Sequence, residues 1–222
     1  MKTSLLHTVH QNQFWLSPER CIYWEDQKTL IVADLHFGKA GHFRKSGIGI
    51  PQNVFREDLQ RLFHLIQFYQ PVKVIIVGDL FHSRENREMD FFLKWRQDFA
   101  SLEIILVKGN HDILDQQWYH AAGILVKDSV LHYPGFSFIH DPAEIKQTNP
   151  DTPGNYFFSG HLHPGVTVKS AGKQALSFPC FYFGKDYAVL PAFGKFTGTS
   201  KIKQKKGESI YAIVAQTIIS LS

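Results

Sequence analysis

Seven side chains of metal-binding type fall in short, separated blocks: Asp34 with His36, then Asp79, Asn110, His140, and His161 with His163. Each block follows an apolar or aromatic run. Leu30–Ala33 leads into Asp34-Leu35-His36, Val74–Val77 into Gly78-Asp79, and Ile104–Val107 through Lys108 into Gly109-Asn110-His111-Asp112. Phe136–Ile139 leads into His140, and Tyr156–Ser159 into Gly160-His161-Leu162-His163. Gathering two aspartates, an asparagine and four histidines in one place is costly without a cation, because carboxylates repel and buried polar groups need partners. A dinuclear centre removes both costs. The donors are imidazole, carboxylate and amide with no thiolate, a set that suits manganese, iron or zinc. Two divalent cations about 3.5–4 Å apart bind phosphate oxygens and acidify a bridging water, whose hydroxide attacks phosphorus in line. A nearby acid then protonates the leaving alkoxide.

These residues need elements that converge. Leu30–Ala33, Val72–Val77 and Glu103–Val107 read as buried strands. Between them lie a helical pattern from Asn53 (Phe55, Leu59, Leu62, Phe63, Ile66 and Tyr69, ended by Pro71) and a second helix near Glu88–Ala100. That alternation predicts parallel strands with helices outside. Short strands come before it, at Gln13–Leu16 and Cys21–Trp24. After residue 120 they dominate, at Ile124–Lys127, Val130–Tyr133, Phe136–Ile139, Tyr156–Ser159, Val166–Lys169, Tyr187–Leu190 and Ser209–Ala215, with Asp141–Asn155 as a surface loop. In an open α/β sheet, ligands collect at the carboxyl ends of the strands. In extended chain, Asp34 and His36 leave one face, as do His161 and His163. Gly78, Gly109 and Gly160 permit a sharp exit from the strand and close backbone approach.

The composition allows this and excludes several other classes. With 222 residues, 44% hydrophobic and 20% charged, the chain is an ordinary globular α/β protein, read as one domain over 1–222. Two cysteines make neither a disulfide framework nor a thiolate cage, which fits a reducing compartment. The apolar runs are too short to span a bilayer and Met1–Trp15 lacks a signal-peptide pattern, so the expectation is a cytoplasmic protein with no membrane partner. The net charge of +4 permits a polyanionic partner without requiring one. No G-x-x-x-x-G-K-[ST] phosphate loop or G-x-S-x-G elbow is present, and Gly47-Ile48-Gly49-Ile50-Pro51 lacks the third glycine of a dinucleotide loop.

The ordered set of blocks resembles the calcineurin-like metallophosphoesterase family, with no ligand position substituted. The resemblance implies a four-layer α/β/β/α sandwich and a set of roles. Asp34, His36 and His163 would hold one metal, Asn110, His140 and His161 the other, and Asp79 would bridge them. His111 would serve the leaving oxygen, with Asp112 orienting its ring. The stretch Asp34–Arg44 with Gly47 and Pro51, together with Gly78–Ser83 and Leu190–Gly194, resembles the bacterial ligase-associated DNA damage response endonuclease group. That narrower likeness implies a manganese-dependent phosphodiesterase or nuclease, iron or zinc being alternative metals, acting on DNA beside repair ligase and helicase partners. Alternatives are a phosphoesterase for nucleotides or cyclic nucleotides, and a non-catalytic scaffold.

Several residues have a bland reading beside a functional one. Lys39 and Arg44 either hold a substrate phosphate or belong to a solvated loop. His82, three residues past Asp79, either lines the cleft or is a surface or core histidine, as the remaining histidines are read. Lys201, Lys203, Lys205 and Lys206, with Lys195 nearby, read as a solubilising hairpin tip or a nucleic-acid footprint. Phe178–Phe183 reads as core rather than a base-stacking surface.

Overall fold

Apolar runs without alternation mark strands buried on both faces. The computed structural model, which describes residues 3–39, 54–82, 87–148, 154–169 and 175–221, pairs three of them side by side. β4 (Thr29–Ala33), β5 (Lys73–Val77), β6 (Glu103–Val107) and β7 (Ile124–Lys127) are parallel neighbours. Antiparallel strands β1 (Leu5–Val9), β2 (Asn12–Ser17) and β3 (Cys21–Trp24) extend this sheet beyond β4. The connections carry helices α1 (Val54–Tyr69), α2 (Arg87–Asp98) and α3 (Gln116–Ala121). α1 buries Phe55, Leu59, Leu62, Leu65 and Ile66 along one stripe, the helical spacing already present in the sequence.

The second sheet is built mainly from the other half of the chain. Its order is β14 (Ser200–Lys201), β11 (Pro164–Lys169), β12 (Ala175–Phe183), β13 (Tyr187–Val189), β10 (Tyr156–Ser159), β9 (Phe136–Ile139) and β8 (Val130–Tyr133). β15 (Ser209–Val214) pairs with β12 and with β16 (Thr217–Leu221). Both sheets are mixed. Ile31, Ala33, Ile75, Val77, Ile105 and Val107 point between the sheets against Phe138, Phe158, Phe181 and Phe183. The alternate residues Leu30, Val32, Val74, Ile76, Ile104 and Leu106 point outward under the helices.

The helices of the described residues thus cover one sheet. On the outer side of the other, Cys180, Tyr182, Val189, Ile210 and Ala212 pack with strand and loop residues. Among the described residues no α-helix joins that cluster, because this half supplies short strands and turns rather than helical spacing. The segment expected as a loop after His140 contains a 3₁₀ stretch, Pro142–Gln147, whose start is capped by the Asp141 side chain accepting the Ala143 N–H at 2.8 Å. No helix among the described residues is long and apolar enough to cross a membrane.

Register aligns the strand ends. Ala33 pairs with Val77 and Val77 with Val107, so Asp34, Gly78 and Lys108 begin one row at the carboxyl edge. In the facing sheet Phe138 pairs with Phe158 and Phe158 with Ala188, which brings His140 and the Gly160–His163 turn to the same edge.

Candidate metal centre

At this edge the seven side chains converge from both sheets. Asp34, His36 and His163 each offer a ligand atom, all within 4.8 Å of one another, and Asp79, His140 and His161 form a second such group. In the first, His36 Nε2 lies 3.2 Å from His163 Nε2, which is 3.5 Å from Asp34 Oδ1. In the second, His140 Nε2 lies 3.2 Å from His161 Nδ1, 3.1 Å from Asn110 Oδ1 and 3.5 Å from Asp79 Oδ2. The same Asp79 Oδ2 is 3.8 Å from His36 Nε2. One carboxylate oxygen therefore faces both groups.

The chain holds these residues by turning sharply rather than by staying extended. Asp34 (φ 52°), His36 (φ 49°), Asp79 (φ 52°), His161 (φ 65°) and His163 (φ 45°) all occupy the left-handed region. Such a residue costs about 1–3 kcal/mol and persists where its surroundings over-determine it. The expected extended Asp-x-His and His-x-His pairs are thus corrected. Asp34 and His36 reach one group from kinked backbone, with Leu35 buried between them, whereas His161 and His163 are turned apart, His163 to the first group and His161 to the second.

The surroundings that enforce the turns are visible. Asp34 N–H donates to Gly78 O (3.1 Å), His36 N–H to Asp79 O (2.8 Å) and Phe37 N–H to Leu80 O (2.9 Å), so the loops after β4 and β5 brace each other. His161 N–H donates to the Asp34 carboxylate, at 3.0 Å to Oδ2. Phe193 and Gly194 donate their N–H groups to Ala33 O and Asp34 O. That segment is itself fastened. Arg20 donates to the Ala192 and Gly194 carbonyls (3.2 and 3.1 Å), and Arg61 donates to Phe193 O and pairs with Asp58 at 3.1 Å. Arg20, Asp58 and Arg61 have no local sequence signal of a site. The nearest sign is two charged residues on the buried stripe of α1.

Asp112 corrects another expectation. Its carboxylate accepts four backbone N–H groups, from Leu80 (2.9 Å) and Phe81 (3.3 Å) on Oδ1 and from Asp79 (2.8 Å) and Gly109 (2.9 Å) on Oδ2. These fill its acceptor positions, so it staples the Asp79 loop to the Gly109 turn instead of orienting the His111 ring. Burial pushes its carboxyl up to about 6 against the pull of those N–H groups, with the Asp79 charge adding to the rise.

The electrostatics suit cation ligands. Burial, with Lys39 and neighbouring imidazoles adding to it and Asp79 opposing, pushes His36 down to about 3, so its ring is neutral and able to donate a lone pair. Burial favours neutral Asp79, but the His140 ring, the His111 N–H and His36 outweigh it and hold the carboxyl well below the usual carboxylate range. His140 shows the reverse balance. Burial lowers it, while Asp79 and Asp34 raise it to about 9. Its Nδ1 faces Val77 O at 3.2 Å, which places a proton there and aims Nε2 at the second group. A divalent cation at Nε2 answers the same carboxylates in place of a proton. The donor set and its crowding fit a pair of divalent cations.

Gly78 makes room for that ring. It has φ +79°, and a Cβ there would overlap the His140 imidazole. Gly78→Ala should therefore displace a side chain that orients the cage, and metal titration of the variant should show affinity lowered about 10–100-fold at one position. Wild-type affinity at both positions would show that His140 is not needed where it stands.

The remaining predicted residues fall as follows. The His111 ring is outside both groups, with its centroid 5.5 Å from that of His36 and 4.4 Å from that of His82. His82 lies 5.5 Å from His36, which puts it in this cluster rather than elsewhere on the surface. Lys39 lines a crevice with His36. Burial lowers its pKa while Asp79 and Asp34 raise it, so its ammonium lies within their field. Arg44 falls outside the described residues. Phe181, Tyr182 and Phe183 are buried, as a core reading requires.

No curated protein matches the chain. Among solved structures, the nuclease MPE of Pseudomonas putida is 26% identical, with 97% of this chain and 100% of that one covered and a TM-score of 0.80. YfcE, a phosphoesterase from E. coli, is 13% identical, with 87% and 97% covered and a TM-score of 0.47. The family model described as calcineurin-like phosphoesterase matches residues 27–141, just over half of the chain and the region that carries Asp34 through His140. The chain belongs to the calcineurin-like phosphoesterase family and is a metal-dependent phosphoesterase.

Proposed function

We propose that this chain, acting as one domain over residues 1–222, hydrolyses phosphodiester bonds in DNA as an endonuclease. Asp34, His36 and His163 would hold one divalent cation, Asn110, His140 and His161 a second, and Asp79 would join them. The observation that carries the reading is the placement of Asp79 Oδ2 between His36 Nε2 and His140 Nε2, at 3.8 and 3.5 Å. The full-length similarity to a nuclease supports the substrate class, and the donor set with no thiolate is compatible with manganese, with iron and zinc as the alternatives. When bound, such cations polarise the phosphoryl oxygens and supply a nucleophile from water.

The protein's own groups complete the reaction. A water gives up a proton to solvent as its oxygen bonds to phosphorus and the bond to the leaving oxygen breaks, while the His111 ring gives the leaving oxygen a proton and regains one from solvent. His82 packs against the His111 ring and lines the same cleft. Lys39 offers a point charge to a phosphate oxygen, as Arg44 does in the reading of the loop beyond it. The shared core between the two sheets supports the one-domain reading. A role beside repair ligase and helicase systems in the cytoplasm belongs to the same proposal and predicts that loss of the chain sensitises its host to DNA damage.

The test is turnover by protein stripped of metal and reloaded with manganese, iron or zinc. The substrates are circular single-stranded DNA, duplex and nicked DNA, RNA, a cyclic nucleotide and a chromogenic diester. Manganese-dependent cutting of the circular single strand is expected, since only an endonuclease opens a circle. Turnover confined to the cyclic nucleotide would replace this reading with a small-substrate phosphoesterase.

A further inference from the structure

Charge is placed unevenly along the chain. From Tyr187 to Ser222 there are five lysines and one acidic residue, Glu208, so this segment alone carries a net +4, the formal charge of the whole protein. Lys201, Lys203, Lys205 and Lys206 are exposed. Glu208 is occupied elsewhere, accepting the Tyr182 hydroxyl at 2.6 Å and the Lys205 backbone N–H at 2.8 Å. Lys195 is set apart from the other four, pairing with Glu57 at 3.5 Å.

The segment begins beside the metal centre. β14 runs parallel to β11 with Ser200 opposite Pro164 and Lys201 opposite Gly165, and Ser200 N–H donates to His163 O at 2.9 Å. Upstream, Phe196 is 44% exposed and lines the crevice shared by His36 and Lys39. One stretch of chain therefore passes both histidines of the first group, presents an aromatic ring beside one of them, and continues from the other as a row of lysines. An exposed ring stacks on an unpaired base, and a lysine row follows a phosphate backbone, the combination used to bind single strands without reading sequence.

We propose that Phe196 and the Lys201–Lys206 row form the track along which a single-stranded polynucleotide crosses the metal centre. This inference rests on the phosphodiesterase reading above and adds the surface that selects a long, unpaired substrate over a small one.

The test compares manganese-loaded wild type with two variants: one in which Lys201, Lys203, Lys205 and Lys206 are all glutamine, and Phe196→Ala. Each is assayed on a single-stranded oligonucleotide between about 50 and 200 mM salt and on a chromogenic diester. For the lysine variant, kcat/KM on the oligonucleotide should fall about tenfold or more, mostly through KM, with diester turnover unchanged. The plot of log kcat/KM against log salt should flatten by about 0.7 for each phosphate that the variant no longer neutralises. The matched lysine-to-arginine variant should keep the wild-type slope. Phe196→Ala should raise KM for the oligonucleotide about tenfold, and Phe196→Tyr should restore it. An unchanged salt slope, or an equal loss on the diester, would overturn the track. Wild type inert toward every diester with manganese present would instead overturn the reading beneath it.

Discussion

Asp79→Ala should empty both cation positions at once. Its Oδ2 faces both groups, and its Oδ1 accepts the His111 N–H at 2.9 Å, so the substitution removes the shared ligand and frees the turn carrying Asn110. With Asp34, the carboxylate also supplies the negative charge among the ligands that partly offsets two dications beside four imidazoles. Elemental analysis after dialysis against manganese should find less than one metal per chain. Losing several kcal/mol of charge stabilisation slows diester turnover by about 10⁴-fold or more. Asp79→Asn, nearly isosteric, separates charge from shape and should behave like the alanine variant. Two firmly held metals in either protein would refute a shared carboxylate.

His111→Ala should do the opposite to metal content. The ring is outside both ligand groups, and the contact binding this residue to Asp79 is its backbone N–H, which alanine retains. Metal content should stay near that of wild type while turnover falls about 10²–10⁴-fold, the range for losing a positioned acid. The deficit should be largest for diesters with poor leaving groups and small for an activated chromogenic one, whose leaving oxygen needs no proton. A variant that loses its metals, or that slows all esters equally, would take the proton-donor role away from His111.

The strands and helices that carry the centre were legible because their signals are local. The runs ending at Ala33, Val77 and Val107 are continuous since both faces are covered, and the α1 stripe repeats at helical spacing. The N-terminal strand β1 and the last strand β16 were not anticipated. β1 buries only Val9 and β16 only Ile218, which leaves little hydrophobic pattern to read. Likewise Asp112 next to His111 suggests a pair, and only the fold shows its carboxylate turned onto four backbone N–H groups, three of them from the distant Asp79 loop. The support of Asp34 by Arg20 and Arg61 spans more than a hundred residues through the segment 192–194, and no spacing in the chain encodes such a contact.

The amino-acid order by itself determined which residue types are available for the chemistry and that each follows a buried strand, because side-chain donors and hydrophobic runs are local properties. Tertiary structure decided that two sheets present their carboxyl ends to one another, that five of the seven donors sit on left-handed backbone, and that a single oxygen of Asp79 faces both groups. Those depend on register between strands distant in sequence and on hydrogen bonds between loops, which hold strained turns that no isolated segment would adopt.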